Sequence, residues 1–285
     1  MVGAFHNLHL VEGGWCPYID GLSIVGLDSN EIERLELPYS EEEVFVALSN
    51  LGKDKALGPN GYTMAFWLFC WDVVKEEVLG FFRDFHEEGK FIKSFNATFL
   101  VLILKKGGVD DLRDFRPISL VGSLYKPLDK VLANRFKKDM GKMISESQNA
   151  FAEGRQILDA ILIANEAIDS RLKSNESSVL CKLDIEKVYD YVNWNFLFLV
   201  LKKIGFGERW IKWVEWCIST AKFSILVNGT PSDFFPKFEG IEKGDPLFPY
   251  LFVITMEAFS CLLKRVTSGS YLSRWWVRGR GGGGI

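Results

Sequence analysis

Lys182-Leu-Asp-Ile-Glu-Lys-Val-Tyr-Asp190 follows a short apolar run, Val179–Leu183, and constrains the fold more than any other stretch. The run reads as a strand, and Asp184 sits where a carboxylate would project from its rigid end. Phosphoryl or nucleotidyl transfer asks for carboxylates to hold Mg²⁺ and for cations to meet a triphosphate. Asp184 and Asp190 equally suit the capping of a turn into the next helix, and spacing does not choose between the two.

Around this strand the chain alternates between two periods. Ser40-Glu-Glu-Glu43 is a capping-box pattern ahead of Val44, Leu48 and Leu51, so a short helix starts there. Leu57-Gly-Pro-Asn-Gly61 reads as a turn, and helical spacing follows from Phe66 to Phe82. Ala97–Leu104 is a strand that runs into Lys105-Lys-Gly-Gly108, and Phe115–Leu120 is a second extended segment. Helices are expected over Leu124–Met140, Ile157–Leu172, Asn193–Ile204 and Leu247–Val266. Trp210, Trp213, Val214 and Cys217 form an aromatic stripe whose helical period implies burial more than base stacking. Asn228-Gly229 between Phe223–Val227 and Phe234–Phe238 predicts a hairpin, with Pro231 working against its register. Residues 1–38 show no strong periodicity and read as a linker, and Arg278–Ile285 is a Gly-rich tail.

The net charge of -3 conceals an uneven distribution. Residues 1–50 carry nine acids against Arg34, whereas Lys105–Lys142 holds ten Lys or Arg against five acids. That basic stretch is either a solvated helix face or an electrostatic footprint for phosphates. With 48% hydrophobic residues the composition is that of a packed globular chain, not a disordered one. Five scattered cysteines without C-x-x-C spacing suit a reduced, intracellular chain with no zinc site, and nothing selects nucleus over cytoplasm. No signal peptide is read at the start, and no apolar run suggests a membrane span.

The order of segments carries a resemblance. Lys53-Asp-Lys-Ala-Leu-Gly-Pro-Asn-Gly-Tyr62, Leu100–Lys106, Asp114-Phe-Arg-Pro-Ile-Ser-Leu120, Ser145–Phe151 with Gly154-Arg155, Lys182–Asp190 and Gly240-Ile-Glu-Lys-Gly-Asp-Pro-Leu-Phe-Pro249 stand in one sequence. This series resembles the reverse transcriptase of LINE-type (non-LTR) retrotransposons, particularly those of plants. Leu120–Lys126 is more similar to that type than to the group II intron type.

The resemblance implies an α+β fold, helix-rich, with the fingers and partial palm of a right-hand polymerase. It divides the chain into 1–39, a linker or remnant; 40–178, an N-terminal extension and fingers; 179–270, partial palm; and 271–285, the tail. It implies an RNA-directed DNA polymerase that uses Mg²⁺, dNTPs, an RNA template and a DNA primer; an oligomeric state is not implied. Asp184 would be the catalytic, metal-holding aspartate, with the Ile185 carbonyl beside it. Tyr189 would be the gate beneath the sugar. Lys105 and Arg116 would lie over the triphosphate, and Gly244, Asp245 and Pro246 would form a turn against the nucleotide and template–primer.

Departures from the family pattern lower the expected activity. Glu242 and Lys243 replace Arg and Gln of G-L-R-Q-G-D-P-L-S-P, and Phe248 replaces its Ser. Leu57 and Leu104 stand for proline, Asn60 for aspartate and Val188 for alanine. No aspartate follows Asp245, so the family's F-A-D-D hairpin and its thumb are not found. The expectation is a truncated polymerase, inactive alone; the alternative is a non-catalytic nucleic-acid-binding remnant or a pseudogene product.

Overall fold

A computed structural model describes residues 18–54, 56–105, 107, 114–174, 192–236 and 244–269. The expected strand Val179–Leu183, Asp184, Ile185, Tyr189, Asp190, Glu242, Lys243 and the Gly-rich tail lie outside the described residues.

Nine helices are found among the described residues: α1 Ser29–Leu35, α2 Glu41–Ser49, α3 Met64–Phe69, α4 Trp71–Glu88, α5 Tyr125–Met143, α6 Ile157–Ser174, α7 Trp194–Ile204, α8 Glu208–Ser219 and α9 Phe248–Ser268. The strands are β1 Ala97–Leu104, β2 Phe115–Val121, β3 Lys222–Val227, β4 Thr230–Pro231 and β5 Phe235–Pro236. Helix and one sheet together make the α+β class. No helix among the described residues is long and apolar enough to cross a membrane.

The segment without strong periodicity nonetheless contains α1. Its signal is Asp28-Ser-Asn-Glu31, a reciprocal capping box in which the Glu31 N–H donates to Asp28 and the Asp28 N–H to Glu31, both at 2.9 Å. At Ser40 only half of that device forms. The Glu43 N–H donates to Ser40 Oγ at 3.2 Å, but the Glu43 carboxylate is taken by Arg135. The helical run expected from Phe66 to Phe82 is two helices, because the chain turns at Cys70 between α3 and α4. α7 starts and stops as its sequence implies, with Asn193 accepting from the Phe196 N–H and Gly205 left-handed at φ 93.

α5 is the central helix. It buries Leu128, Val131, Leu132, Phe136 and Met140 against Val44 and Leu48 of α2, Leu197 and Leu201 of α7, Trp210 and Trp213 of α8, and Ile254 of α9. The aromatic stripe of α8 is core: both tryptophans and Val214 are 0% exposed. Arg135 lies in α5 with every guanidinium donor placed. It donates to both Glu43 oxygens at 2.7 Å and to the carbonyls of Leu35, Leu37 and Pro38, and it sits 4.4 Å over the Tyr39 ring. Glu257 interrupts the apolar pattern of α9 and is buried, accepting from Ser145 Oγ at 2.9 Å.

The sheet order is β2-β1-β3-β4, with β5 also on β3. β1 and β2 are antiparallel; β1 and β3 are parallel, which requires the long helical crossover between them. The parallel register, Ala97 opposite Lys222, is pinned by Asn96. Its fully buried amide donates to the Cys217 carbonyl at 2.6 Å and to Thr220 Oγ1 at 3.0 Å, joining the entry to β1 to the end of α8. The expected hairpin forms around Asn228 and Gly229, both at positive φ. Its register slips by one residue: Leu226 faces Pro231, yet Phe223 faces Phe235. Ser232 is the bulge, with its N–H donating to the Ile225 carbonyl and its hydroxyl accepting from the Ile225 N–H. Pro231 is thereby accommodated near the turn, and β4 and β5 replace one continuous second strand.

Candidate functional site

Lys105 and Arg116 are brought together by the β1–β2 hairpin. Ile103 faces Arg116, and the Lys105 N–H donates to the Asp114 carbonyl at 2.9 Å. Side chains alternate along a strand and cross-strand partners share a face, so Arg116, Ile103 and Lys105 belong to one face. Both cations are exposed. The strand becomes progressively less buried towards this end, from Ala97 and Thr98 to Ile103 at 50%. An exposed hairpin carrying a point-like ammonium and a forked guanidinium can contact phosphate oxygens.

The other end of β2 is locked by two glycines. A Cβ on Gly58 would stand 2.2 Å from the Val121 carbonyl oxygen, and one on Gly122 would stand 2.8 Å from the Phe95 carbonyl oxygen and 2.6 Å from Asn60 Oδ1. The Leu57–Gly61 turn therefore lies backbone to backbone on the exit from β2, an approach only glycine permits. Two segments more than sixty residues apart in sequence thus position the hairpin jointly.

Just beyond the lock, Tyr125 opens α5 and its hydroxyl donates to Asp245 Oδ2 at 3.1 Å. The Leu247 N–H is shared between Asp245 Oδ1 at 3.3 Å and the buried Asp129 Oδ2 at 3.1 Å. Gly244 precedes them at φ +104, a conformation that needs glycine. The turn before α9 is consequently fastened to the first turns of α5. Burial, and after it the Asp129 and Asp245 carboxylates, push the thiol of Cys217 well above its usual range.

Lys105 and Arg116 stand on one face and Gly244 adjoins Asp245, but the two groups sit at opposite ends of β2. By strand rise, roughly 17 Å separates Arg116 from Val121. Asp184, Ile185 and Tyr189 lie outside the described residues. The described residues gather no group of three acidic, histidine or cysteine side chains able to hold a metal. Asp245 is directed towards Tyr125 and the Leu247 N–H, so the described part of the site offers no magnesium cage.

Tyr125, Asp129, Gly58 and Gly122 have no site role in the sequence analysis. Asp129 had a signal, an acid on the buried stripe between Leu128 and Val131. Gly58 reads in sequence only as part of the Leu57–Gly61 turn and Gly122 only within Leu120–Lys126, because the need for glycine at each comes from a backbone distant in sequence.

The family described as reverse transcriptase (RNA-dependent DNA polymerase) matches residues 103–275. Among curated proteins, the Transposon TX1 uncharacterized 149 kDa protein of Xenopus laevis is 26% identical over 89% of this chain and 19% of its own length. The Pol polyprotein from the type-1 retrotransposable element R2 of Nasonia vitripennis is 24% identical over 80% of this chain and 22% of its own. The RNA-directed DNA polymerase from mobile element jockey of Drosophila melanogaster is 27% identical over 61% and 19%. The chain spans about a fifth of the length of these relatives.

Proposed function

The chain belongs to the reverse transcriptase family, as a domain homologous to those of non-LTR retrotransposons, and from that premise we propose that it binds an RNA template with a DNA primer and contributes to nucleotidyl transfer. Residues 40–178 would supply the N-terminal extension and fingers, and 179–270 part of the palm. The observation that carries the reading is the exposed β1–β2 hairpin with Lys105 and Arg116 on one face, inside the matched region. These cations would meet the dNTP triphosphate, whose developing charge needs fixed positive partners.

Magnesium, when bound, would neutralise phosphate charge. Asp184 and the Ile185 carbonyl would hold it, and Tyr189 would select against a 2′-hydroxyl. The described residues contribute positioning. Tyr125 and Asp129 hold the Gly244–Leu247 turn, so Asp245 acts as an anchor of that turn, and Gly244 brings bare backbone towards the substrates. Asp184 is the one metal-holding aspartate assigned in this 285-residue sequence, so extension by it alone would be slow or absent.

Primer extension on an RNA template with Mg²⁺ tests the reading. The assay compares the 285-residue chain, a version joined to an F-A-D-D hairpin, and Asp184→Ala in both. Activity in the joined version that Asp184→Ala abolishes supports the assignment. Activity indifferent to Asp184→Ala, or unchanged by Lys105→Ala with Arg116→Ala, overturns it.

A further inference from the structure

The loop between α5 and α6 holds one conformation that its own residues do not favour. Phe151 has φ 57; the other non-glycine residue with positive φ among the described residues is Asn228, in a turn that requires it. A bulky aromatic residue in the left-handed region is uncommon and persists only where its surroundings over-determine it. Here they do. Arg155 Nη1 donates to the carbonyls of Ser145 at 2.5 Å and Gln148 at 2.8 Å, and the Ala150 N–H donates to Gln148 Oε1 at 3.1 Å. The Ser145 hydroxyl is fastened to buried Glu257 on α9, and Gly154 turns the chain at φ +76.

Burial does not account for the strain. The Phe151 side chain is 50% exposed and has no ring partner among the described residues, while its neighbour Ala152 is buried. Lys137 of α5 ties the loop through an ion pair with Glu153 at 3.5 Å. A braced loop that presents a half-exposed aromatic ring suits an unpaired nucleobase, whose π-face stacks without regard to sequence.

We infer that Phe151 is a base-stacking residue for single-stranded nucleic acid, held out by the Arg155-braced loop. The inference rests on the polymerase reading above, because that reading supplies the nucleic acid. Its ligand is an unpaired template base, since a base inside a duplex is already stacked on both faces.

Phe151→Gly removes both the ring and the strained φ, so it separates stacking from folding. Binding is measured by fluorescence anisotropy with a labelled RNA template bearing a recessed DNA primer, and with the blunt duplex. The expected result is binding to the recessed substrate weakened roughly 5- to 150-fold in Phe151→Gly, blunt-duplex binding unchanged, Tm no lower than that of the parent chain, and recovery in Phe151→Tyr. Equal binding by Phe151→Gly and the parent overturns the stacking role alone. A lowered Tm in Phe151→Gly also overturns it, because the ring would then be structural. Absence of binding by the parent chain overturns the polymerase reading and this inference with it.

Discussion

Replacing Gly58 with alanine would place a methyl carbon 2.2 Å from the Val121 carbonyl oxygen, 2.6 Å from its carbon and 3.0 Å from the Gly122 nitrogen. All three atoms are backbone, so no side chain can rotate away. Either the Leu57–Gly61 turn lifts or the exit from β2 shifts. Overpacking of this kind costs about 1–3 kcal/mol, with backbone clashes at the upper end. At roughly 2–4 °C of Tm per kcal/mol for a domain of this size class, a 3 kcal/mol loss lowers Tm by roughly 6–12 °C. Two glycines serve as controls in the same thermal melts. Gly107 has open space around it, so Gly107→Ala should leave Tm nearly unchanged. Gly61 is also open but sits at φ +72, so Gly61→Ala should show the left-handed penalty alone, about 1–2 kcal/mol. A Gly58→Ala melt no lower than that of Gly61→Ala would refute the close-approach argument. Because β2 carries Arg116, the same variant should also weaken dNTP binding, whereas Gly107→Ala should not.

Arg135→Met should cost about 3–5 kcal/mol in urea unfolding, because it strips Glu43 and three carbonyls of one buried partner; Arg135→Lys should recover little, since an ammonium lacks the fork, and full recovery would show that charge alone suffices. Glu31 is held below its ordinary 4.5, first by Lys142 and then by the Asp28 N–H. A lowered carboxyl stabilises the fold above 4.5 and loses that contribution as pH falls through the folded value. The stability gap between the parent chain and Glu31→Gln should therefore be open above pH 4.5 and close in acid; a gap independent of pH would contradict it.

Much of the fold was legible because it depends on neighbours in sequence. Ala97–Leu104 is a strand as its β-branched and aliphatic run implies, and α7 lies between Asn193 and Gly205 because caps act within a few residues. Asn228-Gly229 makes its turn for the same reason. The candidate site was legible by chemistry type and through the resemblance. The resemblance implied that Lys105 and Arg116 lie over the triphosphate and that Asp245 stands in a turn against the substrates, but what each one faces was not legible. Arg116 and Lys105 share a face through hairpin register, while Asp245 is bound to Tyr125, a residue read only as part of Leu120–Lys126.

The sequence by itself determined the family, the alternation of helices and strands, and the basic character of the segment Lys105–Lys142. These follow from local propensity, hydrophobic period and the ordered motifs, none of which needs a distant partner. Only the tertiary structure decided the register of β1 on β3, which depends on the Asn96 amide reaching Cys217 and Thr220. It also decided the break at Cys70, the bulge at Ser232, the glycine lock at residues 58 and 122, and the outward set of Phe151. The β1–β3 register and the glycine lock are imposed by segments far apart in the chain, whereas the Ser232 bulge and the Phe151 loop are set by hydrogen bonds within ten residues; in each, steric exclusion and the need to satisfy polar groups override what the residues alone prefer.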